Sequence, residues 1–183
     1  MVFLHKILNF IFKTIFFLYR KNKLRLALIN GMNVGKNSKF IGIQDFGSEP
    51  YLIKIGNQCL ITDGVRFINH DGGIQVPFIK TGEDIDNIYG KKSIFGKIEI
   101  GDNVFIGSSS LILMDTYIGD NTIIAAGSIV KGTFPPNCII GGIPARIISD
   151  IESYHAKNDS KLIIFSENES SQLRKKKIIK ILD

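Results

Sequence analysis

Cysteine and histidine are scarce in this chain of 183 residues, with two of the first and three of the second. Cys59 and Cys138 lack the close spacing of a metal-binding pair. We therefore expect both thiols to be reduced, buried and structural, and neither is a candidate for an exposed nucleophile. The sequence predicts no metal site.

The middle of the chain also lacks the cluster of basic residues that would bind nucleic acid. The net charge is +6, but much of the positive charge lies in "RKNKLR" (20–25) and "RKKK" (174–177), outside the middle of the chain. No nucleic-acid-binding motif is visible. The length suits a single domain with its own core, and we expect no nucleic-acid partner.

The N-terminal stretch "MVFLHKILNFIFKTIFFLYRKNKLR" lacks the small-residue cleavage site of a signal peptide. Lys6, Asn9 and Lys13 interrupt its apolar run, which argues against a membrane-spanning helix. The spacing predicts an amphipathic helix within residues 1–31, with a wide apolar face and a basic ridge. This helix either caps the rest of the protein or docks on the inner membrane face through residues 1–25. The expected location is the cytoplasm, with peripheral membrane contact as the alternative.

An aliphatic residue recurs every six positions over residues 94–135, where the chain reads IFGKIE, IGDNVF, IGSSSL, ILMDTY, IGDNTI, IAAGSI, VKGTFP. Upstream the same frame reads VGKNSK, FIGIQD, FGSEPY and, after the insert "LIK" (52–54), IGNQCL, ITDGVR, FINHDG. Neither a helix nor an ordinary strand repeats every six residues. A short strand plus a corner does, and three such units make a triangular coil. Stacked coils bury one aliphatic column per face, so the repeat predicts a solenoid.

The stretches "IGDNVFIGSSS", "IGDNTIIAAGSIVKG" and "PPNCIIGGIPARII", with the His70–Asp71 pair, resemble the hexapeptide-repeat acyltransferases. The likeness is to the branch of xenobiotic, maltose and galactoside acetyltransferases and to the O-acetyltransferases of bacterial surface polysaccharides. The resemblance implies an all-β fold, a left-handed parallel β-helix over residues 32–150. It also implies acetyl-CoA as donor and a homotrimer with active sites between subunits. The helical segment 1–31 would precede this domain, and a tail with a short helix, 151–183, would follow it.

His70 lies in "FINHDGG" and is followed by the one long departure from the repeat, residues 73–93. Transfer from a thioester to a hydroxyl needs a base for the proton and a donor for the oxyanion. The resemblance implies His70 as the base. The backbone N–H of Ser108 is our candidate for the donor to the oxyanion. Asp71 either orients the imidazole or forms an Asp-Gly turn. The departure 73–93 is expected to be a lid or a wall for the acceptor.

The register across this departure decides what lies near His70. If the chain leaves and returns at one corner, Ile94 opens the next coil and Ile106 stacks on Phe67. One column then runs beside His70, made of Asn69, Ser108, Ala126 and Pro144. Coils about 4.8 Å apart place the level of Arg146 roughly 15 Å away, which suits the pantetheine arm of coenzyme A.

The resemblance also implies ligand contacts by position. Donor contacts map onto Phe105, Ser108, Ala126, Lys131 and Arg146. Acceptor contacts map onto Glu49, Tyr51 and Asn69, the first two in the box "FGSEPY". Relatives often carry Trp where this chain has Phe105, which either covers the donor or packs at the surface.

The predicted function is acetyl-CoA-dependent O-acetylation of a sugar or of a surface-polysaccharide precursor. N-acetylation of an amino sugar or amine is the first alternative, because the motifs do not separate the two. A γ-type carbonic anhydrase would need three histidine zinc ligands, and two of the three histidines, His5 and His155, lie in terminal segments. A non-catalytic solenoid would not need His70 or the long departure.

Overall fold

A computed structural model describes residues 2–182 of the chain, with side-chain surroundings for residue 8 and residues 11–181. Two compact units are present, residues 1–151 and residues 152–183. Most of the regular structure of the first unit is short strands. In chain order they are β1 Asn33–Val34, β2 Lys39–Phe40, β3 Ile53–Ile55, β4 Leu60–Ile61, β5 Arg66–Ile68, β6 His70–Asp71, β7 Ile94–Phe95, β8 Ile98–Ile100, β9 Phe105–Ile106, β10 Leu111–Ile118, β11 Ile123–Ile124, β12 Ile129–Phe134, β13 Cys138–Gly142 and β14 Ala145–Asp150.

Helices precede and follow the strands in the chain, and one lies within residues 73–93, the excursion from the repeat. They are α1 Val2–Ile29, α2 Gln75–Lys80, α3 Ile151–Asn158 and α4 Ser171–Leu182, with single 3-10 turns at Pro50–Leu52, Ile85–Asn87 and Asp159–Lys161. The all-β class therefore describes the repeat and not the chain as a whole. No helix among residues 2–182 is long and apolar enough to cross a membrane.

Apart from the antiparallel pairs β6–β7 and β13–β14, the strands pair in parallel. They stack their inward side chains in three columns. The first column holds Val34, Ile55, Ile100, Ile118 and Phe134. The second holds Phe40, Ile61, Ile106, Ile124 and Ile140. The third holds Phe46, Phe67, Ile112 and Val130. Nearly all of these side chains are buried, and together they form one continuous core.

The corners explain the period of six. Three positions after an inward residue the backbone is left-handed, as at Asn103 (φ 54°), Asn121 (φ 54°) and Asn137 (φ 62°). Asparagine tolerates this conformation better than most residues. The next side chain, such as Ser110 or Thr122, is small and turns inward, where it is buried. One outward-facing residue then follows before the next inward aliphatic residue, as Ile123 does between Thr122 and Ile124.

The register after the excursion differs from the one that the sequence predicted. Phe67 pairs with Ile112, whereas Ile106 pairs with Ile61 on another face. Phe67 and Ile112 are 45 positions apart, and one coil takes 18, as between Ile100 and Ile118. The excursion therefore takes up 27 positions and not the 21 of residues 73–93.

The cause is an antiparallel stem at the base of the excursion. His70 pairs with Phe95 and Asp71 with Ile94, so β6 and β7 leave the coil together. Ile94, expected to open the next coil, is exposed in this stem. The coil resumes at β8, beside β3. The predicted column from Asn69 to Ser108 is consequently wrong, because the two residues belong to different faces.

Helix α1 ends against the first coil. Ala27 is buried, and Leu24 packs against the core. The helix stops where Gly31 takes a positive φ of 93°, which lets the N–H of Met32 donate to the carbonyl of Ala27. Residues 24–27 of α1 thus pack on the first coil, and both sequence interpretations of the apolar face of residues 1–25 stay predictions.

The second unit holds the C-terminal tail. Its helix α4 lies in the tail 151–183, for which the sequence predicted a short helix. The ring of Phe165 lies 4.3 Å from the guanidinium of Arg174. The ammonium of Lys177 is 5.6 Å from the same ring. These contacts fold the tail back on its own helix.

Candidate active site

The imidazole of His70 is paired with a carboxylate from the preceding coil. Its Nδ1 lies 2.9 Å from Oε2 of Glu49, and the hydroxyl of Ser48 donates to the same oxygen at 2.9 Å. The His70 side chain is 41% exposed, while that of Glu49 is 17% exposed. The contact engages Nδ1, so Nε2 is the ring nitrogen that stays available for proton transfer.

Asn69 holds Glu49 in place through the backbone. Its side-chain amide donates to the Glu49 carbonyl at 2.6 Å, and the residue is fully buried. The neighbouring strand segment approaches closely, because a Cβ at Gly47 would lie 2.9 Å from Oδ1 of Asn69. Asn69, predicted to contact the acceptor, is therefore inaccessible in this chain, and it supports the residue that contacts His70.

Asp71 does not face the imidazole. Its Oδ1 accepts a hydrogen bond from the N–H of Gly73 at 2.7 Å, which fixes the turn into the excursion. Neighbouring residues on a strand point to opposite sides, so His70 and Asp71 cannot both face one site. Asp71 therefore forms a turn, one of its two interpretations, and does not orient the imidazole. The carboxylate beside His70 belongs to Glu49.

A cleft of about 420 Å³ opens at this pair. Ser48, Glu49 and His70 form its floor. The excursion and its stem supply the remaining lining residues, which are Gly72, Gln75, Ile88, Tyr89, Gly90, Lys92, Ser93 and Phe95. The excursion thus forms a wall over His70. Tyr51, predicted with Glu49, is 62% exposed and is not among the lining residues.

The wall is folded in its own right. Ile88 is buried, and the ammonium of Lys92 contacts the Glu83 carboxylate at 2.6 Å while lying 3.8 Å from the centre of the Phe78 ring. The Phe95 ring centre is 6.1 Å from that of His70. Sequence reasoning singled out neither Tyr89 nor Phe95. The hexad pattern hid Phe95, since it reads as part of a regular repeat.

The predicted donor residues lie at another corner of the coil. Ser108 and Ala126 are exposed neighbours in successive coils, and the Ser108 carbonyl accepts from the N–H of Gly127 at 2.8 Å. A Cβ at Gly107 would lie 2.4 Å from the Ala126 nitrogen, so only glycine allows this approach. In the described part of the chain no acceptor pairs with the Ser108 N–H, which leaves it free to donate to a ligand.

The other predicted donor contacts are spread over the surface. Phe105 is 37% exposed on the second face. Lys131 is exposed on the third face, and Arg146 is exposed on β14, where its Nη1 donates to the Ala145 carbonyl at 2.7 Å. The structure therefore brings Ser108 and Ala126 together, but within one chain it does not stack His70 above them.

Two side chains outside the cleft have shifted pKa values. Burial raises the pKa of the Cys59 thiol, which makes it a poor nucleophile. Hydrogen bonds from the backbone and side-chain N–H groups of Asn57 lower the pKa of Asp102. Among the described side chains, those of residue 8 and residues 11–181, there is no group of three or more His, Cys, Asp or Glu placed to hold a metal ion.

Comparison with known proteins decides the family. The model of the bacterial transferase hexapeptide (six repeats) matches residues 97–132. Protein CapG of Staphylococcus aureus is 47% identical over 129 residues, which cover 69% of this chain and 70% of CapG. The chain belongs to the hexapeptide-repeat transferases.

Two solved structures show the same architecture in acetyltransferases. The maltose O-acetyltransferase of Clostridium difficile 630 superposes with a TM-score of 0.54 at 29% identity, covering 66% of this chain and 59% of that one. A galactoside acetyltransferase in complex with coenzyme A superposes with a TM-score of 0.51 at 27% identity, covering 77% of this chain and 63% of that one. This chain thus spans less than two thirds of either protein. The comparisons confirm the predicted class of enzyme, an acetyltransferase.

Proposed function

We propose that this enzyme transfers the acetyl group of acetyl-CoA to a hydroxyl of a sugar or of a surface-polysaccharide precursor. The observation that carries the proposal is the Glu49–His70 pair at the floor of a cleft. The maltose and galactoside acetyltransferases among its structural neighbours support a sugar acceptor, and the coenzyme A complex supports the donor.

His70 acts as the general base. Its Nε2 takes the proton of the acceptor hydroxyl while that oxygen attacks the thioester carbonyl. Glu49 holds Nδ1–H and stabilises the imidazolium that forms. The new ester C–O bond replaces the C–S bond, and the proton on His70 passes to the departing thiolate. Both substrates are bound together, so no acetyl group is attached to the protein.

The donor binds along the corner of Ser108 and Ala126. The Ser108 N–H is aimed at the oxyanion, and the exposed Lys131 and Arg146 offer charge for the phosphates. Phe105 covers the end of the donor. Because His70 and Ser108 lie on different faces of one chain, the complete site requires His70 of one subunit to face Ser108 of a neighbour. This supports a homotrimer of left-handed β-helices with the sites between subunits.

The wall of the cleft suits a sugar ring. Tyr89 is 82% exposed and presents its ring to solvent, and Phe95 is 52% exposed beside His70. Apolar rings of this kind pack against the C–H face of a sugar, while Ser48 and Gln75 supply hydrogen bonds. The Lys92 charge is already paired with Glu83, so it is not free to bind a phosphate.

The test is to incubate the protein with labelled acetyl-CoA and a panel of sugars, nucleotide sugars, oligosaccharides and matched amino sugars. Label on a hydroxyl is the expected result, and label only on nitrogen would make the enzyme an N-acetyltransferase. In His70→Ala, turnover should fall by about 10²–10⁴-fold. Its melting temperature and coenzyme A affinity should stay unchanged, because the side chain faces the cleft and not the aliphatic core. Near-normal turnover would remove His70 from the mechanism.

The trimer is tested separately by light scattering at micromolar concentration. A threefold mass supports sites between subunits. A monomer that acetylates a sugar at full rate would contradict them, because a single chain does not bring His70 to Ser108.

A further inference from the structure

Helix α1 carries a large apolar surface that the rest of the chain does not cover. The helix is anchored at its C-terminal end, where Ala27 is buried and Lys23 Nζ lies 4.0 Å from Asp45 Oδ1. Further toward the N-terminus, the large apolar side chains at residue 8 and from residue 11 to residue 19 are all exposed, and Phe12 reaches 72%. They are Leu8, Ile11, Phe12, Ile15, Phe16, Phe17, Leu18 and Tyr19.

A surface of this kind needs a partner. Isolated exposed apolar residues are normal on a soluble protein, but a contiguous group marks an interaction site. Lys6, Asn9 and Lys13 interrupt the apolar run of this helix, which argues against burial across the roughly 30 Å core of a bilayer. The helix is therefore suited to lie on an apolar surface and not to cross one.

The charge of the same segment indicates what kind of partner it binds. Residues 1–44 contain eight lysines and arginines and no aspartate or glutamate, so the first acidic residue of the chain is Asp45. Within the exposed part and its continuation, Lys13, Arg20 and Lys21 lie among the apolar side chains. A second copy of this helix would bring like charges together. An anionic lipid surface offers both the apolar layer for the rings and the negative headgroups for the lysines.

We propose that residues 2–21 of α1 dock the protein on an anionic membrane surface, with the helix lying in the interface. The apolar side chains from Leu8 to Tyr19 enter the boundary between headgroups and acyl chains, while Lys13, Arg20 and Lys21 contact the headgroups. The solenoid, fixed to the end of the same helix at Ala27, is thereby held close to the lipid surface. This inference is independent of the transfer reaction, since it involves no residue of the cleft.

The experiment is vesicle flotation of the full-length protein, with vesicles of phosphatidylcholine plus phosphatidylglycerol compared with vesicles of phosphatidylcholine alone. The protein should float with the anionic vesicles and much less with the neutral ones. Phe12→Asp with Ile15→Asp should weaken binding by about a hundredfold or more, because two large apolar side chains are lost from the interface. The matched control, Val76→Asp with Ile85→Asp, alters two exposed apolar residues of the excursion and should bind as the unaltered protein does.

Charge is tested with Lys13→Gln and Lys21→Gln together, which should weaken binding to anionic vesicles by about tenfold or more. Lys80→Gln with Lys97→Gln removes the same charge elsewhere and should have little effect. The proposal is overturned if the full-length protein ignores anionic vesicles, or if the Phe12 and Ile15 variant still floats. It is also overturned if that variant loses its oligomeric state in light scattering without lipid, since the helix would then pair with a second copy.

Discussion

Glu49 and His70 are 21 positions apart in the chain, and Oε2 of the first lies 2.9 Å from Nδ1 of the second. One coil accounts for 18 of these positions, and the insert "LIK" (52–54) accounts for the other three. Glu49 follows Phe46 by three positions, as His70 follows Phe67, so the stacking of Phe46 on Phe67 brings the carboxylate to the imidazole. Asp71, the next residue after the histidine, instead closes a turn through Gly73.

Isosteric substitutions should separate the two carboxylates. Glu49→Gln removes the negative charge beside the imidazole and keeps the size of the side chain, so turnover should fall, by less than the about 10²–10⁴-fold expected for loss of the base itself. Asp71→Asn is the matched control and should retain most of the activity. Both are measured as kcat at saturating acetyl-CoA, with melting temperature followed in parallel. A larger loss in Asp71→Asn than in Glu49→Gln would reverse the assignment.

Much of the fold can be predicted from the sequence, because the six-residue repeat follows from the geometry of the coil. Every inward aliphatic residue from Ile100 to Val130 is visible at a spacing of six, and each of the three buried columns contains two of them. The left-handed corner at positions such as Asn103 makes that spacing obligatory.

The register across the excursion could not be found in the same way. A period of six is unchanged when the chain is shifted by one hexad, so "IFGKIE" fits the pattern equally well as a coil or as a stem. Only the antiparallel pairing of Asp71 with Ile94 decides between them, and that pairing depends on how residues 73–93 fold. Glu49 had a usable signal, since it holds the same position in "FGSEPY" as His70 holds in "FINHDG". Tyr89 lies in the excursion, outside any repeat.

The register itself can be tested by cross-linking. Arg66 pairs with Leu111, so Arg66→Cys with Leu111→Cys should form a disulfide, because parallel neighbours have Cα atoms within the required 4.4–6.8 Å. The pair Arg66→Cys with Phe105→Cys follows the register expected from the sequence and should stay reduced. Peptide mass spectrometry without reductant distinguishes them, and closing this loop should raise stability by about 2–4 kcal/mol. Cross-linking of the second pair alone would restore the sequence-based register.

Arg146 is expected to act in donor binding and not in chemistry. Arg146→Ala should raise the KM for acetyl-CoA by about tenfold, since a hydrogen bond to a charged group is lost, while kcat changes little. An acetylated pantetheine without the nucleotide phosphates should be used equally well by both proteins. Lys97→Ala removes an exposed charge elsewhere on the coil and serves as the control. If Arg146→Ala lowers kcat and leaves KM unchanged, the residue does not bind the donor phosphates.

The contribution of the ionised Asp102 carboxylate to stability should appear in the pH dependence of the melting temperature. Its carboxylate accepts from the backbone N–H of Asn57 at 2.7 Å and from the Asn57 side-chain amide at 3.0 Å, and these bonds lower its pKa. A carboxyl group whose pKa is lowered by folding stabilises the protein above its unfolded pKa of about 3.9. That contribution is lost as the pH falls through the lower, folded value. The unaltered protein should therefore melt at a higher temperature than Asp102→Asn at neutral pH, and the difference should vanish in acid. Asp86→Asn, at an exposed position of the excursion, should show no such trend. A difference in melting temperature that stays constant from neutral to acid pH would mean that the ionised form of Asp102 is not what these hydrogen bonds stabilise.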